Sequence, residues 1–427
     1  MHRTFTRLAQ PLSHRAGLCV LSALLGAVAA PPARAQQTSY TWDQIKQRFF
    51  ANNPTLQAAR LNVQENRAEE VTAYLRPNPD VSLSADQFNF YPLQPLAYAD
   101  GILGISYLHE RGHKRELRRD VAQKATAVAL SQQKDLERNL LFNLRSAFVQ
   151  LLQAKAVSAN AQENLDYYDR ELRINRERLK AGDISEVDED RLELQRIQFE
   201  SDLQTAGVNV RTAKIQLLTL MNDRTPIDRF DATGLFDFTD QVPALEELRK
   251  IALDARPDLL AAIQSVEEAD LSHRLAIANG TTDPTFGADG GRNPPIDGYI
   301  GFSVSIPLRI FDRNQGEKER TALDITRNQR LLDASRAQVF SDVDSAYQTI
   351  NGTLALLKPY KATYLPMAVK VRETVSYAYQ RGAATLLDFL DAQKSYRDVQ
   401  LNYLNLVGSF LSSAGQLNMA VGQETLQ

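Results

Sequence analysis

Two groups of side chains in this sequence have the types and spacing to do chemistry. His109-Glu110-Arg111-Gly112-His113 follows the H-E-x-x-H order with which zinc peptidases set two ligands and a general base on one turn of helix. Here Gly112 sits inside the pattern, at a place where a strand hands over to a helix. His273 is the only other histidine beyond residue 35. The match therefore reads as coincidence: no metal site, no catalytic residue and no cofactor is expected. The second group is acidic. Asp388 and Asp391 are three apart, which on a helix puts both carboxylates on one face, and Asp188 stands in related surroundings. Such acids can form a cation-attracting ring around an axis, or can simply be helix-start acids held by the helix dipole. The three-residue spacing favours the ring for Asp388 and Asp391; for Asp188 both readings stand.

The elements that position these groups begin after a leader. Arg3, Arg7 and Arg15 precede an apolar run from Leu18 to Ala30, and Ala33-Arg34-Ala35 precedes Gln36, the layout of a secretory signal peptide ending at residue 35. The run is too short for a membrane-spanning helix. The one cysteine, Cys19, lies within it, so the mature chain is expected to have neither disulfides nor thiol chemistry. Removing four arginines and no acids takes the balance from 49 basic against 52 acidic to 45 against 52, a net of −7. That is not the footprint of a nucleic-acid binder.

The remainder repeats. Gly182-Asp183-Ile184-Ser185-Glu186-Val187-Asp188 aligns with Gly382-Ala383-Ala384-Thr385-Leu386-Leu387-Asp388 at an offset of 382 − 182 = 200. Gly101–Ser106 matches Gly298–Ser303, Gly112–Arg115 matches Gly316–Arg320, and the helical stretch Trp42–Arg76 matches Leu245–Asn279. Two halves follow, 36–238 and 239–427, each reading as helix, two strands, one very long helix, a tight turn and a second helix. No proline occurs between Pro95 and Pro226 and no glycine between Gly112 and Gly182, which permits one unbroken helix of roughly 100 Å at 1.5 Å per residue. Leu192, Phe199, Ala206, Ala213 and Leu220 recur every seventh residue, as do Tyr396, Tyr403, Phe410 and Leu417. A seam with that period predicts supercoiled helices. Pro359 and Pro366 predict a kink or break in the second long helix.

The predicted strand pairs are Val81–Tyr91 with Gly101–Leu108, and Thr285–Gly290 with Tyr299–Leu308. Val81, Leu83 and Ala85 alternate with Ser82, Ser84 and Asp86, flanked by Phe88, Phe90, Tyr91 and Tyr98, as in strands of a membrane barrel. Four strands cannot close such a barrel, which starts at eight, so several chains must share one. The fold class expected is mainly α with a membrane β part. A periplasmic coiled-coil adaptor or structural protein is the alternative; it would share the heptads without needing the alternating strands.

Over the mature chain the sequence resembles the TolC-like outer membrane efflux protein family. The carriers are the two-half architecture, the paired Gly-x-x-Ser/Thr-x-x-Asp turns, and Tyr379-Gln380-Arg381-Gly382 leading to Asp388-Phe389-Leu390-Asp391-Ala392. The resemblance implies a homotrimer with a twelve-stranded barrel in outer membrane lipid, continued by a helical tunnel through the periplasm. The closed tip of that tunnel would dock on a periplasmic adaptor attached to an inner-membrane pump. Asp388 and Asp391 match the family's acidic positions at the periplasmic gate, and Asp188 is their counterpart in the first half. Gly182 with Ser185, and Gly382 with Thr385, match the turns that meet the adaptor. Arg191 stands where the first half would carry a partner for Asp391. Ile306-Pro307-Leu308 with Phe311–Gly316 resembles the heavy-metal efflux branch.

Overall fold

A computed structural model describes residues 38–86, 100–293 and 296–426. The leader with Cys19, and the aromatics Phe88, Phe90, Tyr91 and Tyr98, lie outside the described residues. The chain runs β1 (Thr38–Tyr40), α1 (Trp42–Asn52), α2 (Pro54–Ala73), β2 (Asp80–Asp86), β3 (Asp100–Leu108), α3 (Lys114–Ala181) and α4 (Glu186–Leu220). It continues β4 (Phe230–Ala232), α5 (Leu245–Ala255), α6 (Pro257–Asn279), β5 (Thr285–Asn293), β6 (Ile296–Ser305) and α7 (Gln315–Pro359). A π-helical turn (Tyr360–Tyr364), α8 (Leu365–Gln380) and α9 (Leu386–Val421) complete it.

The unbroken helix is there: α3 runs 68 residues, about 100 Å at the α-helical rise. Other expectations need correction. The stretch Trp42–Arg76 is two helices, because Pro54 cannot donate into a continuing helix and Asn53 adopts an extended conformation before it. Asn53 then caps α2, its Oδ1 accepting from Leu56 N–H at 3.1 Å. In the second half that place is held by Arg256, which cannot accept; buried, it instead pairs with Asp258 and, at 2.8 Å, with Asp342 of α7. Nor are Gly112 and Gly316 counterparts. The helices start at Lys114 and Gln315, each after a left-handed residue, His113 at φ 57° and Asn314 at φ 61°, whereas Gly316 lies in the first helical turn.

The sheet order is β2-β3-β5-β6, all antiparallel. Expected alternation becomes two continuous faces. Val81, Ile105, Ala288 and Phe302 form one row and Leu83, Leu103, Gly290 and Ile300 the next; these rows are apolar and largely exposed, Leu83 at 82% and Phe302 at 85%. The opposite face carries Ser82, Gly104, Asp289 and Gly301 in one row and Ser106, Gly287 and Ser303 in another. This face is crowded: a Cβ on Gly104 would meet Ser82 Oγ at 2.7 Å. β6 begins earlier than expected, at Ile296, and stops at Ser305, so Ile306 to Asn314 form an irregular strap before α7. Pro307 has no N–H with which to continue a ladder. Among the described residues β2 and β6 each have a single partner strand and form the two open edges.

Below the sheet the helices are ordered α2-α3-α6-α7. Two apolar clusters pin them at mid-height. Ile45, Phe49, Leu144, Phe148, Leu217 and Phe230 belong to the first half's cluster, with the short parallel pair β1–β4; Leu248, Val343, Ile350, Phe410 and Leu417 belong to the second's. A third cluster lies at the far end, where α3, α4, α8 and α9 converge. The predicted break at Pro359 is the π turn, and it is clamped: Lys361 Nζ donates to both carboxylate oxygens of Asp237 (2.9 and 3.1 Å) and lies 4.7 Å from the Phe238 ring centroid. No helix among the described residues is long and apolar enough to cross a membrane.

Candidate functional site

The two hairpin turns lie side by side at the end remote from the sheet. Gly182 (φ 83°) and Gly382 (φ 75°) take the left-handed conformation that ends α3 and α8, a backbone state L-residues rarely hold. Ser185 and Thr385 cap the returning helices, accepting from Asp188 N–H at 3.1 Å and Asp388 N–H at 3.2 Å. The aspartates complete the caps. Ser185 Oγ donates to Asp188 Oδ2 at 2.9 Å; Thr385 donates from both N–H (2.9 Å) and Oγ1 (2.7 Å) to Asp388 Oδ2. These hydrogen bonds from Thr385 hold the carboxyl of Asp388 below the usual carboxylate range. The cap is therefore intact at neutral pH and is lost only as pH falls through that lowered value.

The three aspartates thus differ in what they do locally. Asp188 and Asp388 are helix-start acids whose side chains fix the turn, and neither is free to reorient. Asp391, one turn further on, is exposed and makes no hydrogen bond or ion pair among the described residues. Arg191, at the equivalent place on α4, is likewise exposed. The S/T-x-x-D pattern of a capping box was readable in both turns and separates Asp388 from Asp391.

Beneath the turns lies an aromatic latch: Tyr379, Phe389 and Phe199 stood in motifs read from the sequence, but their meeting around Tyr168 was not read there. Tyr379 of α8 stacks on Phe389 of α9 (centroids 5.0 Å apart), and Tyr168 of α3 stacks on Phe199 of α4 (4.7 Å). Tyr168 also lies 6.5 Å from Phe389, joining the hairpins. Burial pushes the Tyr168 hydroxyl above its ordinary pKa, and it donates to Leu192 O at 3.0 Å. Polar links reinforce the junction: Gln380 Nε2 donates to Glu171 (3.0 Å), Tyr167 to Ser376 Oγ (3.1 Å), and Arg397 to Asp202 (3.3 Å). A cleft of about 520 Å³ between the turns is lined by Arg178, Ser185, Asp188, Tyr379, Gly382 and Leu386. At the very end Val187 and Leu387, again 200 apart, are exposed.

The H-E-x-x-H residues do not form a peptidase site. His109 follows the end of β3, its ring edge-on to Phe286 at 6.4 Å. Glu110 is held by both terminal nitrogens of Arg118, and His113 is the left-handed residue before α3. The two histidines therefore do not share a helical turn. Replacing both with alanine is expected to leave transport unchanged, and metal analysis of purified protein to find no stoichiometric zinc. Zinc-dependent peptide cleavage abolished by Glu110→Gln would overturn this.

Residues 248–423, most of the second half, match the protein family described as outer membrane efflux protein. The cobalt-zinc-cadmium resistance protein CzcC of Cupriavidus metallidurans is 25% identical over 322 residues, 74% of this chain and 75% of that protein. The pyoverdine export outer membrane protein OpmQ of Pseudomonas aeruginosa is 23% identical, covering 89% of this chain and 84% of that one. Among solved structures, CusC superposes with a TM-score of 0.75 at 17% identity, over 92% of this chain and 98% of the other.

Proposed function

Because the chain is a TolC-like outer membrane efflux protein, we propose that it forms the trimeric exit duct of a tripartite efflux system, receiving substrate from a periplasmic adaptor and an inner-membrane pump. The observation that carries this reading is the sheet: one face apolar and exposed, the other small and polar, both edges open. Unpaired backbone groups are not tolerated in hydrocarbon, so this sheet belongs in lipid only when copies join edge to edge. A coiled-coil adaptor has no use for it. Three copies supply twelve strands, and the long helices carry the lumen on through the periplasm. Residues 1–35 fit a leader removed on export.

The tip is closed by the aromatic latch and is the end that meets the adaptor, with Gly182, Ser185, Gly382, Thr385 and the exposed Val187 and Leu387 as the contact. An adaptor seated there would hold the hairpins apart. Conduction itself is passive. CzcC and OpmQ, named for different cargoes, are both similar to this chain, which supports a duct whose cargo is chosen by the pump. The likeness to CzcC supports placement in the heavy-metal branch. Growth of a deletion strain on cobalt, zinc and cadmium tests that placement.

Within the tip we assign cation attraction chiefly to Asp391, the carboxylate not committed to a cap; threefold symmetry would bring its copies together. Asp391→Asn is expected to remove most of the block by trivalent cations in planar bilayers, with trimer mass and melting unchanged. Asp388→Asn is expected instead to loosen the first turn of α9, because it removes the charged acceptor of the two hydrogen bonds from Thr385. If block survives intact in Asp391→Asn, the constriction lies elsewhere.

A further inference from the structure

The two strand-to-helix links of this chain are unlike. The first, residues 109–113, is five residues long and lies on the α6→β5 turn of the same chain. His109 N–H donates to Pro284 O at 2.9 Å, Arg111 N–H to Asp283 Oδ1 at 2.8 Å, and Lys114 Nζ to Thr281 O at 2.9 Å. The approach is close: a Cβ on Gly112, which sits at φ 71°, would meet Thr281 Oγ1 at 3.1 Å. Lys114 and Asp283 form an ion pair that is largely buried.

The second link, the strap 306–314, is nine residues long and meets the same α6→β5 turn through polar groups, Arg309 lying near Asp283 and the Arg313 carbonyl against Gly280. Asn314 anchors its end, donating to Ala276 O at 2.7 Å. Its apolar side chains stand out from the chain. Ile306, Leu308, Ile310 and Phe311 are exposed, Phe311 at 90%, while Arg309 Nε is buried without a hydrogen-bond partner among the described residues. Exposed apolar side chains in a row are rarely left to water.

The topology says where the bed for these apolar side chains is. The α6→β5 turn has one counterpart, the α2→β2 turn of residues 74–79, which lies at the opposite edge of the same chain. Leu75 of that turn and Val71 of α2 are exposed, at 60% and 65%. Closing a ring brings the β6–α7 edge of one copy against the β2–α2 edge of the next. We infer that the strap 306–314 of each copy lies across the α2→β2 turn of its neighbour, sealing the root of the barrel between copies. It reproduces between chains the contact that residues 109–113 make within one. Its extra length carries the apolar side chains that link 109–113, tied down by hydrogen bonds, does without.

This rests on the trimeric reading above, and the test separates the two. The mature chain has no cysteine, so Leu75→Cys with Phe311→Cys introduces the only thiols. Mass in detergent first establishes whether the double variant is a trimer; a monomer would fail the trimer reading itself. Oxidation, or a short bismaleimide, is then expected to give covalent trimers on denaturing gels, and neither single variant should. A trimer by mass that yields no covalent product overturns the inference. The second readout does not depend on cross-linking. Phe311→Trp is placed in phosphatidylcholine vesicles with brominated acyl chains, the parent chain serving as reference for Trp42. A tryptophan in the seam should stay unquenched, whereas Phe302→Trp on the apolar sheet face should be quenched strongly. Quenching at 311 equal to that at 302 assigns the strap to lipid and overturns the inference.

Discussion

Leu83→Arg is expected to abolish recovery of assembled trimer, while Ser84→Arg, one residue away, is expected to leave the trimer intact and alter only ion selectivity. Adjacent strand residues point to opposite faces: Leu83 shares the apolar row with Leu103 and Ile300, and Ser84 shares a mixed row on the other face with Ile102, Gly291 and Tyr299. An arginine on the lipid face of a barrel costs about 2–4 kcal/mol near the membrane midplane. Three copies multiply that to roughly 6–12 kcal/mol per assembly, enough to erase the stability of an ordinary fold. On the lumen side the same side chain stays in water. Heat-modified gel mobility reports assembly and reversal potential reports selectivity. Equal loss of trimer in both variants would show that the faces have been assigned wrongly, or that the sheet does not sit in lipid.

Phe389→Ala is expected to give a channel that conducts without its adaptor. The ring is fully buried between Tyr379 and Tyr168, so it touches both hairpins at once. Truncating a buried phenylalanine costs about 3–5 kcal/mol, and at this position the loss falls on the closed arrangement of the tip. Leu387→Ala, two residues earlier but exposed, should leave the closed state alone and weaken only what binds the tip. Single-channel conductance distinguishes them: a large rise for Phe389→Ala, parent values for Leu387→Ala. Parent-like conductance in Phe389→Ala would remove the aromatic cluster from the gate.

Much of this architecture was legible because it rests on long, regular signals. The absence of proline and glycine licensed α3, and the seven-residue spacing from Leu192 onward placed the buried stripe of α4 correctly. Alternation from Val81 to Asp86 gave the two faces of the sheet. What escaped had weaker or longer-range causes. β1 and β4 are three residues each and pair in parallel across most of the first half, which no local period reveals. Pro54 stood in the stretch Trp42–Arg76 read as one helix, and the break it makes with Asn53 is seen only in the fold. Tyr168, Tyr379 and Phe389 come from three helices and meet only in the folded bundle. For Asp388 the capping pattern was present in the sequence, and geometry was needed to show that it engages the carboxylate.

The open edges at β2 and β6 have a consequence for what stability means here. A single copy has no completed native state: its sheet ends in unpaired backbone groups and its apolar face has no lipid of its own. Folding, insertion and association therefore draw on one another, and the melting temperature should rise with protein concentration as it does for obligate oligomers. A defect too small to unfold a monomeric protein is counted three times in such a ring. The quantity under selection is the free energy of the closed assembly, shared among identical chains, not the stability of any one of them.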